Sequence, residues 1–226
     1  MKARRRSASG KPRKQALALD APPVRPDLLA REGLPPLPRQ GRSRIKREAL
    51  LKAGLELFAS SGYEATSIGA VAKRSRVAVG SFYQHFRSKR QLLLVLMNEL
   101  LQKLEQIDMQ PRGDTLRDRI ESVLRAGLAT DLAYAGAYRA WREAMLSDPE
   151  LEAMDEAIRA WTTARLRFIF RLLQSLPGAR IELEVPLFAA VMDRLFWELI
   201  GRKPEASERL VEMTAHIIYH SMFHDS

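Results

Sequence analysis

The chain has 226 residues, with 37 lysine and arginine residues against 27 acidic ones, a formal net charge of +10 and no cysteine. Its 46% apolar content suffices for a hydrophobic core and excludes wholesale disorder, while the lack of cysteine excludes a disulfide scaffold, a cysteine-ligated zinc site and a cysteine nucleophile. No apolar run reaches the length of about 18 residues that a membrane span needs, and no apolar stretch follows the charged start, so we expect a cytoplasmic protein without a secretory signal or a membrane partner.

The positive charge is concentrated in the first 90 residues. Residues 1–42 carry 11 basic and 3 acidic side chains, a net charge of +8, and residues 43–90 carry 10 and 3, a net charge of +7. Residues 91–226 carry 16 and 21, a net charge of −5. A basic segment on an otherwise acidic protein indicates a polyanionic partner, usually nucleic acid, although a basic surface also serves solubility alone.

Residues 1–42 are predicted to form a basic, proline-rich, disordered arm. Seven of the 12 prolines lie there, and each fixes its own φ angle, lacks an N–H donor and restricts the residue before it. Basic clusters occur at Lys2–Arg6 and Lys11–Lys14. Such an arm can lie along phosphates or enter a minor groove. The alternative is a solvated tail without a specific role.

Residues 43–90 show the periodicity of a helical unit. From Ser43, apolar side chains recur at steps of four residues and predict an amphipathic helix. They are Ile45, Ala49, Ala53 and Leu57, with Leu50 and Phe58 beside them. The helix is expected to close near residues 60–62, where Gly62 suits a left-handed C-cap.

Two short helices are predicted next, followed by a long one. Thr66 or Ser67 can cap the first, the second runs over about residues 78–84, and Ser88 can cap the long helix that follows. Two short helices joined by a tight turn and held against a longer one form a helix-turn-helix, whose second helix enters the major groove of DNA. The alternative is a plain three-helix subdomain.

The strongest signal is a motif spread over this unit. Its segments are Ala53–Ala59, Gly62–Ile68, Val71–Ser75, Val77–Phe86 and Ser88–Lys89. On these segments, residues 44–91 resemble the DNA-binding domain of the TetR (tetracycline-repressor) family of bacterial transcriptional regulators. The resemblance implies an all-α fold in which an N-terminal three-helix helix-turn-helix DNA-binding domain (residues 43–90) is followed by a larger helical ligand-binding and dimerisation domain (residues 91–226).

One residue departs from the family pattern. The family usually has glycine in the turn of the helix-turn-helix, where this chain has Arg76. A left-handed residue other than glycine costs about 1 kcal/mol, so the turn is expected either to adopt another conformation or to tolerate the strain. Arg76 would then be free to face a phosphate.

The resemblance also implies a set of DNA-contacting residues. They are Ser67, Val79, Gly80, Ser81, Tyr83, Gln84, His85 and Lys89, and Arg76 would add a contact that the family lacks. Ser67, Tyr83 and Lys89 are expected at phosphates, with Lys89 in the first turn of a helix whose free N–H groups suit an anion. Base edges would be faced by Val79, Gly80, Ser81 and Gln84 on the second short helix, which we call the reading helix. The Gln84 amide can pair bidentately with adenine. His85 either contacts phosphate or packs inside, since imidazole serves both roles.

The resemblance further implies that the second domain holds a small molecule and that its last two helices form the homodimer that a palindromic operator requires. Candidate effector-binding residues are Tyr138, Trp141, Met145, Trp161, Arg165 and Phe168. Such a lining suits a largely apolar effector, but aromatic residues at helical spacing also build ordinary cores. Candidate dimer-interface residues on the last two helices are Leu187, Val191, Leu195, Leu199, Leu210, Met213 and Ile217.

No enzymatic chemistry, cofactor or metal is predicted. The chain has no phosphate-binding glycine-rich loop and no nucleophile elbow. His216, His220 and His224 share a helical face at a spacing that could hold a metal, but only Asp225 could join them. From the resemblance and the charge distribution we expect a sequence-specific DNA-binding regulator, a repressor that a small molecule releases from its operator. The alternatives are a non-specific or architectural DNA-binding protein that uses the basic arm, and a helical ligand-binding or enzymatic protein with a vestigial helix-turn-helix.

Overall fold

The computed structural model describes residues 23–107 and 112–174, together with residues 190, 194, 209, 212–217, 219 and 220. The helices of the first two ranges are α1 (Gly41–Ala65), α2 (Ile68–Ser75), α3 (Val79–Tyr83), α4 (Lys89–Glu105), α5 (Leu116–Ala133), α6 (Ala135–Met145) and α7 (Pro149–Gln174). The described residues outside these ranges, from 190 onward, are also helical. The predicted all-α fold is confirmed.

Helix starts follow the capping residues of the sequence. The Ser67 hydroxyl accepts a hydrogen bond from the Ala70 N–H (3.1 Å), and the Ser88 hydroxyl accepts one from the Gln91 N–H (3.1 Å). Each bond satisfies an N–H group that lacks a partner inside its helix. These two caps fix where α2 and α4 begin, so they fix the frame that presents α3 between them.

The end of α1 differs from the prediction. Instead of ending at Gly62, α1 bends there and continues to Ala65. Gly62 has φ 82° and ψ −179°, a region that only glycine adopts without strain, and this is not the left-handed cap conformation. The Thr66 hydroxyl donates to the Gly62 carbonyl oxygen (2.6 Å), which stabilises the bend.

The core runs continuously from α1 through α4 to α6. Phe58, Phe82 and Phe86 are buried against a nearly unbroken set of buried residues in α4. Gly136 brings α6 onto α1, because a Cβ atom there would overlap the Leu55 carbonyl oxygen. Ile45 was predicted on the inward stripe of α1, which is wrong: its residue is 67% exposed. The core contacts of α1 begin later in the helix, and the first turns project beyond it.

The predicted disordered arm is wrong for residues 23–42. Residues 23–40, which we call the docked segment, lie against the helices, and α1 begins at Gly41 rather than Ser43. Leu28 is only 3% exposed and belongs to the main core. The proline content prevents regular secondary structure here, but the burial of Leu28 still holds the segment in place, because removing apolar surface from water is stabilising. The rest of the predicted arm, residues 1–22, lies outside the described residues.

Candidate nucleic-acid interface

The reading helix α3 is held by two phenylalanines. Phe82 and Phe86 are completely buried, with ring centroids 5.6 Å apart. On the other side of α3, Val79 is 46% and Tyr83 53% exposed. No atom outside the helix would lie within 4 Å of a Cβ atom at Gly80. The helix therefore presents an open face on a rigid support.

The predicted base-reading residues lie together on this open face. Val79, Gly80 and Gln84 are exposed, and Ser81 is half-buried. The Gln84 N–H donates to the Ser81 carbonyl oxygen (3.3 Å), so its backbone ends the helix while its side chain is exposed. Tyr83 packs edge-on against Phe82, with ring centroids 5.6 Å apart and an interplanar angle of 83°. This contact orients the phenol from below.

The turn between α2 and α3 tolerates the strain that the sequence flagged. Arg76 has φ 57° and ψ 35°, the left-handed conformation, and it is the one non-glycine residue with positive φ in the part of the chain that the structure describes. Its N–H donates to the Lys73 carbonyl oxygen (3.2 Å), and the Val77 N–H donates to the Ala72 carbonyl oxygen (3.0 Å). These bonds close the end of α2 in the manner of a Schellman cap. The Arg76 side chain is exposed beside the reading helix.

The side chains predicted to contact phosphates differ in how many of their hydrogen-bonding groups are already used within the protein. Ser67 is exposed, but its hydroxyl already accepts the capping hydrogen bond of α2. The Lys89 ammonium donates to the Tyr63 carbonyl oxygen (2.6 Å) and lies 4.1 Å from the centroid of the Tyr63 ring. Since an ammonium has three N–H donors, Lys89 is anchored inside the domain and keeps donor capacity for a phosphate.

His85 occupies the packing role rather than the phosphate role. The residue is 5% exposed, and its Nε2 atom is buried without a hydrogen-bond partner in the described structure. Burial lowers the pKa of His85, and the nearby Arg47 and Lys46 cations lower it further. The imidazole is therefore a neutral packing group beneath the reading helix. Its inclusion among the DNA contacts is not supported by its placement.

Sequence reasoning missed several exposed cations of this domain. Arg44, Lys46, Lys73 and Arg87 are exposed, and the local net charge of residues 43–90 was the only signal for them. Arg74 differs, since its guanidinium pairs with the Glu56 carboxylate (2.7 Å). The exposed basic groups give the domain a surface complementary to a polyanion.

A residue of the second domain that the sequence did not single out holds the α1–α2 junction. The Glu143 carboxylate, on α6, accepts a hydrogen bond from the Tyr63 N–H (2.6 Å). A Cβ atom at Gly62 would overlap this carboxylate, so the glycine makes room for it. On the same α6 surface, the Arg139 guanidinium donates to the Ala59 carbonyl oxygen (2.8 Å). The contacts join α6 to the helix-turn-helix domain through backbone groups, which a sequence pattern does not reveal.

Comparison with known proteins identifies the domain. Residues 50–96, which cover α2, α3 and most of α1 and half of α4, match the model of the bacterial regulatory proteins of the tetR family. The chain carries a TetR-family DNA-binding domain. The resemblance deduced from the motif is thereby confirmed.

Curated relatives of this TetR-type chain are transcriptional regulators. It is 29% identical to the HTH-type transcriptional regulator TcmR of Streptomyces glaucescens over 145 residues, which are 64% of this chain and 54% of TcmR. It is 34% identical to the HTH-type transcriptional repressor KstR of Rhodococcus jostii over 79 residues, 35% of this chain and 37% of KstR. The chain thus spans about half the length of these relatives or less.

A solved structure shows the same fold over most of the TetR-type chain. The ketosteroid transcriptional regulator KstR2 of Mycobacterium tuberculosis superposes with a TM-score of 0.56 and 19% identity, over 82% of this chain and 98% of KstR2. The similarity therefore extends from the TetR-type domain into the helices that follow it. At this identity it establishes the fold alone.

The predicted effector residues of the TetR-type chain do not form one set. Trp141 is buried in the main core, and its indole N–H donates to the Asp155 carboxylate (3.0 Å), which fits the core alternative. Met145 also packs against this core, and Phe168 is half-buried. Trp141 therefore supports the contact of α6 with α7 rather than an open pocket.

A polar cluster surrounds the remaining effector candidates. Trp161 is also buried, at 4% exposed, and belongs to the same core, and the Arg165 guanidinium lies 5.4 Å from the centroid of its ring. The Tyr138 hydroxyl donates to the Asp131 carboxylate (3.0 Å). Burial raises the pKa of Asp131 to about 7, against the lowering effects of Tyr138 and Arg165. This cluster combines apolar rings with a carboxyl group that is easily protonated.

The predicted dimer residues are only partly described. Met213 and Ile217 lie one helical turn apart and are both about half-exposed, as an apolar face awaiting a partner would be. Leu187, Val191, Leu195, Leu199 and Leu210 lie outside the described residues. The interface therefore stays a prediction.

The histidine triplet of the last helix is also only partly described. The rings of His216 and His220 have centroids 4.1 Å apart, while His224 lies outside the described residues. Over the described ranges, no three histidine, aspartate or glutamate side chains converge as a metal site would require. Among the same residues, no helix combines the length and hydropathy needed to cross a bilayer.

Proposed function

We propose that this chain is a transcriptional repressor that binds a palindromic DNA operator as a homodimer and leaves it when a small, largely apolar molecule binds. The observation that carries the proposal is the exposed face of α3, held by the buried Phe82 and Phe86. The TetR-type domain and relatives named as regulators and repressors support it. A cytoplasmic location follows from a DNA target.

The open face of α3 suits reading of the major groove. The groove is about 12 Å wide and admits a helix, and the uncrowded backbone at Gly80 allows close approach. Gln84 would pair with adenine through its amide, and Val79 would contact a thymine methyl group. Ser81 and Gly80 would face the adjoining base edges.

Phosphate contacts would fix the register of this helix. Tyr83, Ser67, Arg76 and Lys89 flank the reading face, and the N-terminal turn of α4 adds N–H groups and a partial positive charge. Lys89 joins phosphate binding to the packing of α1, because its ammonium already holds the Tyr63 carbonyl. A phosphate bound by Lys89 would thus be connected to the backbone of α1 through the same ammonium group.

Release would follow a population shift. Two reading helices on a dimer must match successive major grooves about 34 Å apart. An effector bound near Trp161, Tyr138 and Arg165 would favour a dimer whose reading helices are spaced differently. Met213 and Ile217 would belong to the dimer face.

The test is selection from random duplexes with the purified full chain at about 0.15 M salt, near physiological ionic strength. We expect a palindromic consensus with half-sites about one helical turn apart. Binding that is indifferent to sequence and collapses on added salt would instead support the architectural alternative. Retention of no duplex at all would refute a DNA-binding role.

A further inference from the structure

The docked segment runs along α4 and touches both of its ends. At the C-terminal end, the Arg25 guanidinium donates to the Asn98 side-chain oxygen (2.7 Å) and pairs with the Glu105 carboxylate (3.2 Å). Near the N-terminal end, the Gln91 side chain donates to the Glu32 carbonyl oxygen (2.6 Å). Leu28 fills the core between these anchors. The segment is therefore held against the helices at three places, by two sets of polar contacts and one buried side chain.

One end of the docked segment reaches the candidate effector residues. The Trp161 indole N–H, on α7, donates to the Pro23 carbonyl oxygen (3.2 Å). Trp161 in turn lies beneath the Arg165 guanidinium. A molecule that binds against the edge of this indole would compete with the Pro23 carbonyl for the same N–H group.

The middle of the docked segment, at Glu32, reaches the residues that follow the reading helix. Arg90, in the first turn of α4, pairs with the Glu32 carboxylate (2.6 Å). The same guanidinium pairs with the carboxylates of Asp148 (2.6 Å) and Glu150 (2.8 Å), which lie at the turn between α6 and α7. Burial opposes ionisation of Asp148, yet its bonds with Arg90 hold its pKa below the usual value. A Cβ atom at Gly33 would lie 3.4 Å from the Arg87 guanidinium, beside the end of the helix-turn-helix.

We propose that the docked segment couples the candidate effector residues around Trp161 to the placement of the reading helix, with Arg90 as the positioning residue. The inference rests on the proposed function. It adds a connection through a segment that lies outside the matched TetR-type residues 50–96, whereas Arg90 itself lies within them. Arg90 joins α4, the docked segment and the α6–α7 turn through charge-assisted bonds, the strong class of protein hydrogen bond.

The proposed coupling works through a change in how Arg90 is held when the docked segment is released from Trp161. Release of the Pro23 end would leave the segment on its anchors at Arg25, Leu28 and Gln91. The Glu32 carboxylate would then be less constrained in its pairing with Arg90. Because α4 follows directly from the helix-turn-helix, a shift of Arg90 between its three carboxylates would alter the direction in which α3 points. In a dimer, that direction sets the spacing of the two reading helices.

The first experiment measures DNA affinity as a function of half-site spacing, using the operator selected from random duplexes. Arg25→Gln and Glu32→Gln each remove one ion pair that holds the docked segment against α4. Their matched controls are Arg31→Gln, an exposed position of the same segment, and Glu152→Gln, exposed on α7. Neither control residue has an ion pair among the described contacts.

We expect the wild-type chain and both controls to lose affinity when one base pair is inserted between the half-sites. In Arg25→Gln and Glu32→Gln this loss should be smaller by about fivefold or more, the lower range of allosteric coupling, while affinity for an isolated half-site stays unchanged. A segment that only stabilises the fold would weaken binding at every spacing alike. An unchanged spacing profile in both variants would overturn the inference.

The second experiment needs no operator and separates the inference from the proposed function. Trp161→Phe removes the bond to Pro23, and Trp141→Phe removes an indole bond of the same kind, to Asp155, away from the docked segment. Amide hydrogen exchange of the full chain should quicken over residues 87–92 in Trp161→Phe but not in Trp141→Phe. Exchange that changes only on α7 would overturn the coupling, whatever the protein binds.

Discussion

Arg76→Gly tests the strained turn with opposing effects of known size. The left-handed conformation of Arg76 costs about 1–2 kcal/mol relative to glycine. Glycine loses more conformational freedom on folding, which costs roughly 0.5–1 kcal/mol. The relief of strain exceeds this cost, so we expect the substitution to stabilise the folded chain by about 0.5–1 kcal/mol. For a chain of this size, that is a rise of a few degrees in Tm.

Lys73→Gly is the matched control for this substitution. Lys73 is an exposed basic residue three positions earlier, but it lies inside α2 with helical backbone angles. Glycine there should destabilise the chain by about 1 kcal/mol, since nothing offsets its lower helix propensity. Urea unfolding of the two variants and the wild type gives the comparison. A loss of stability in Arg76→Gly similar to that in Lys73→Gly would refute the assignment of strain to the turn.

The same variant separates strain from DNA binding. If each Arg76 neutralises one phosphate, its removal should reduce the slope of log affinity against log salt by about 0.9 per protomer, or about 1.8 for the dimer on its operator. Arg76→Lys keeps both the charge and the strained backbone, so it should retain the slope and gain no stability. A slope that Arg76→Gly leaves unchanged would place the guanidinium away from phosphate.

Three further outcomes follow from the structure. Gln84→Ala should cost about 1–3 kcal/mol of discrimination at one base position, seen as a relaxed consensus there while the rest of the operator is kept. Deletion of residues 1–22, which carry a net charge of +6 (7 basic, 1 acidic), should flatten the salt dependence of DNA binding without lowering Tm, because the docked segment remains; an unchanged slope would show that these residues make no phosphate contact. The pKa of Asp131 is raised to about 7, so its protonated form favours the folded state, and its contribution to stability is present below about pH 4 and lost as the pH rises towards 7. Urea unfolding between those pH values should therefore show a steeper fall in stability for the wild type than for Asp131→Asn, and parallel curves would contradict the shift.

Local features of the sequence predicted the DNA-binding domain well. Ser67 and Ser88 cap helices through bonds to N–H groups three residues away, so the information lies within one turn of chain. Phe82 and Phe86 follow the helical period into the core. The strain at Arg76 was one of the two outcomes expected, because glycine is the residue that such a turn ordinarily needs.

The errors arose where distant parts of the chain decide the outcome. Leu28 has neither helical nor strand periodicity around it, and only the surface offered by α4 and α1 makes its burial favourable. The bend at Gly62 depends on Glu143, 81 positions later in the numbering. Placement of the His85 ring and of Trp141 inside the core likewise depends on tertiary packing, which residue type alone does not fix.

Tyr63, near the end of α1, is held through both of its backbone polar groups, so the chain cannot bend freely just before α2 and α3. The Glu143 carboxylate holds the Tyr63 N–H from α6, while the Lys89 ammonium holds the Tyr63 carbonyl from α4. Rotation at this residue would break one bond or the other, so α2 and α3 cannot swing alone. If α3 reads DNA as proposed, torque exerted on it would be shared at once between α4 and α6, and a rearrangement in the second domain would reach the DNA as a rigid displacement rather than as loosening of the helix-turn-helix.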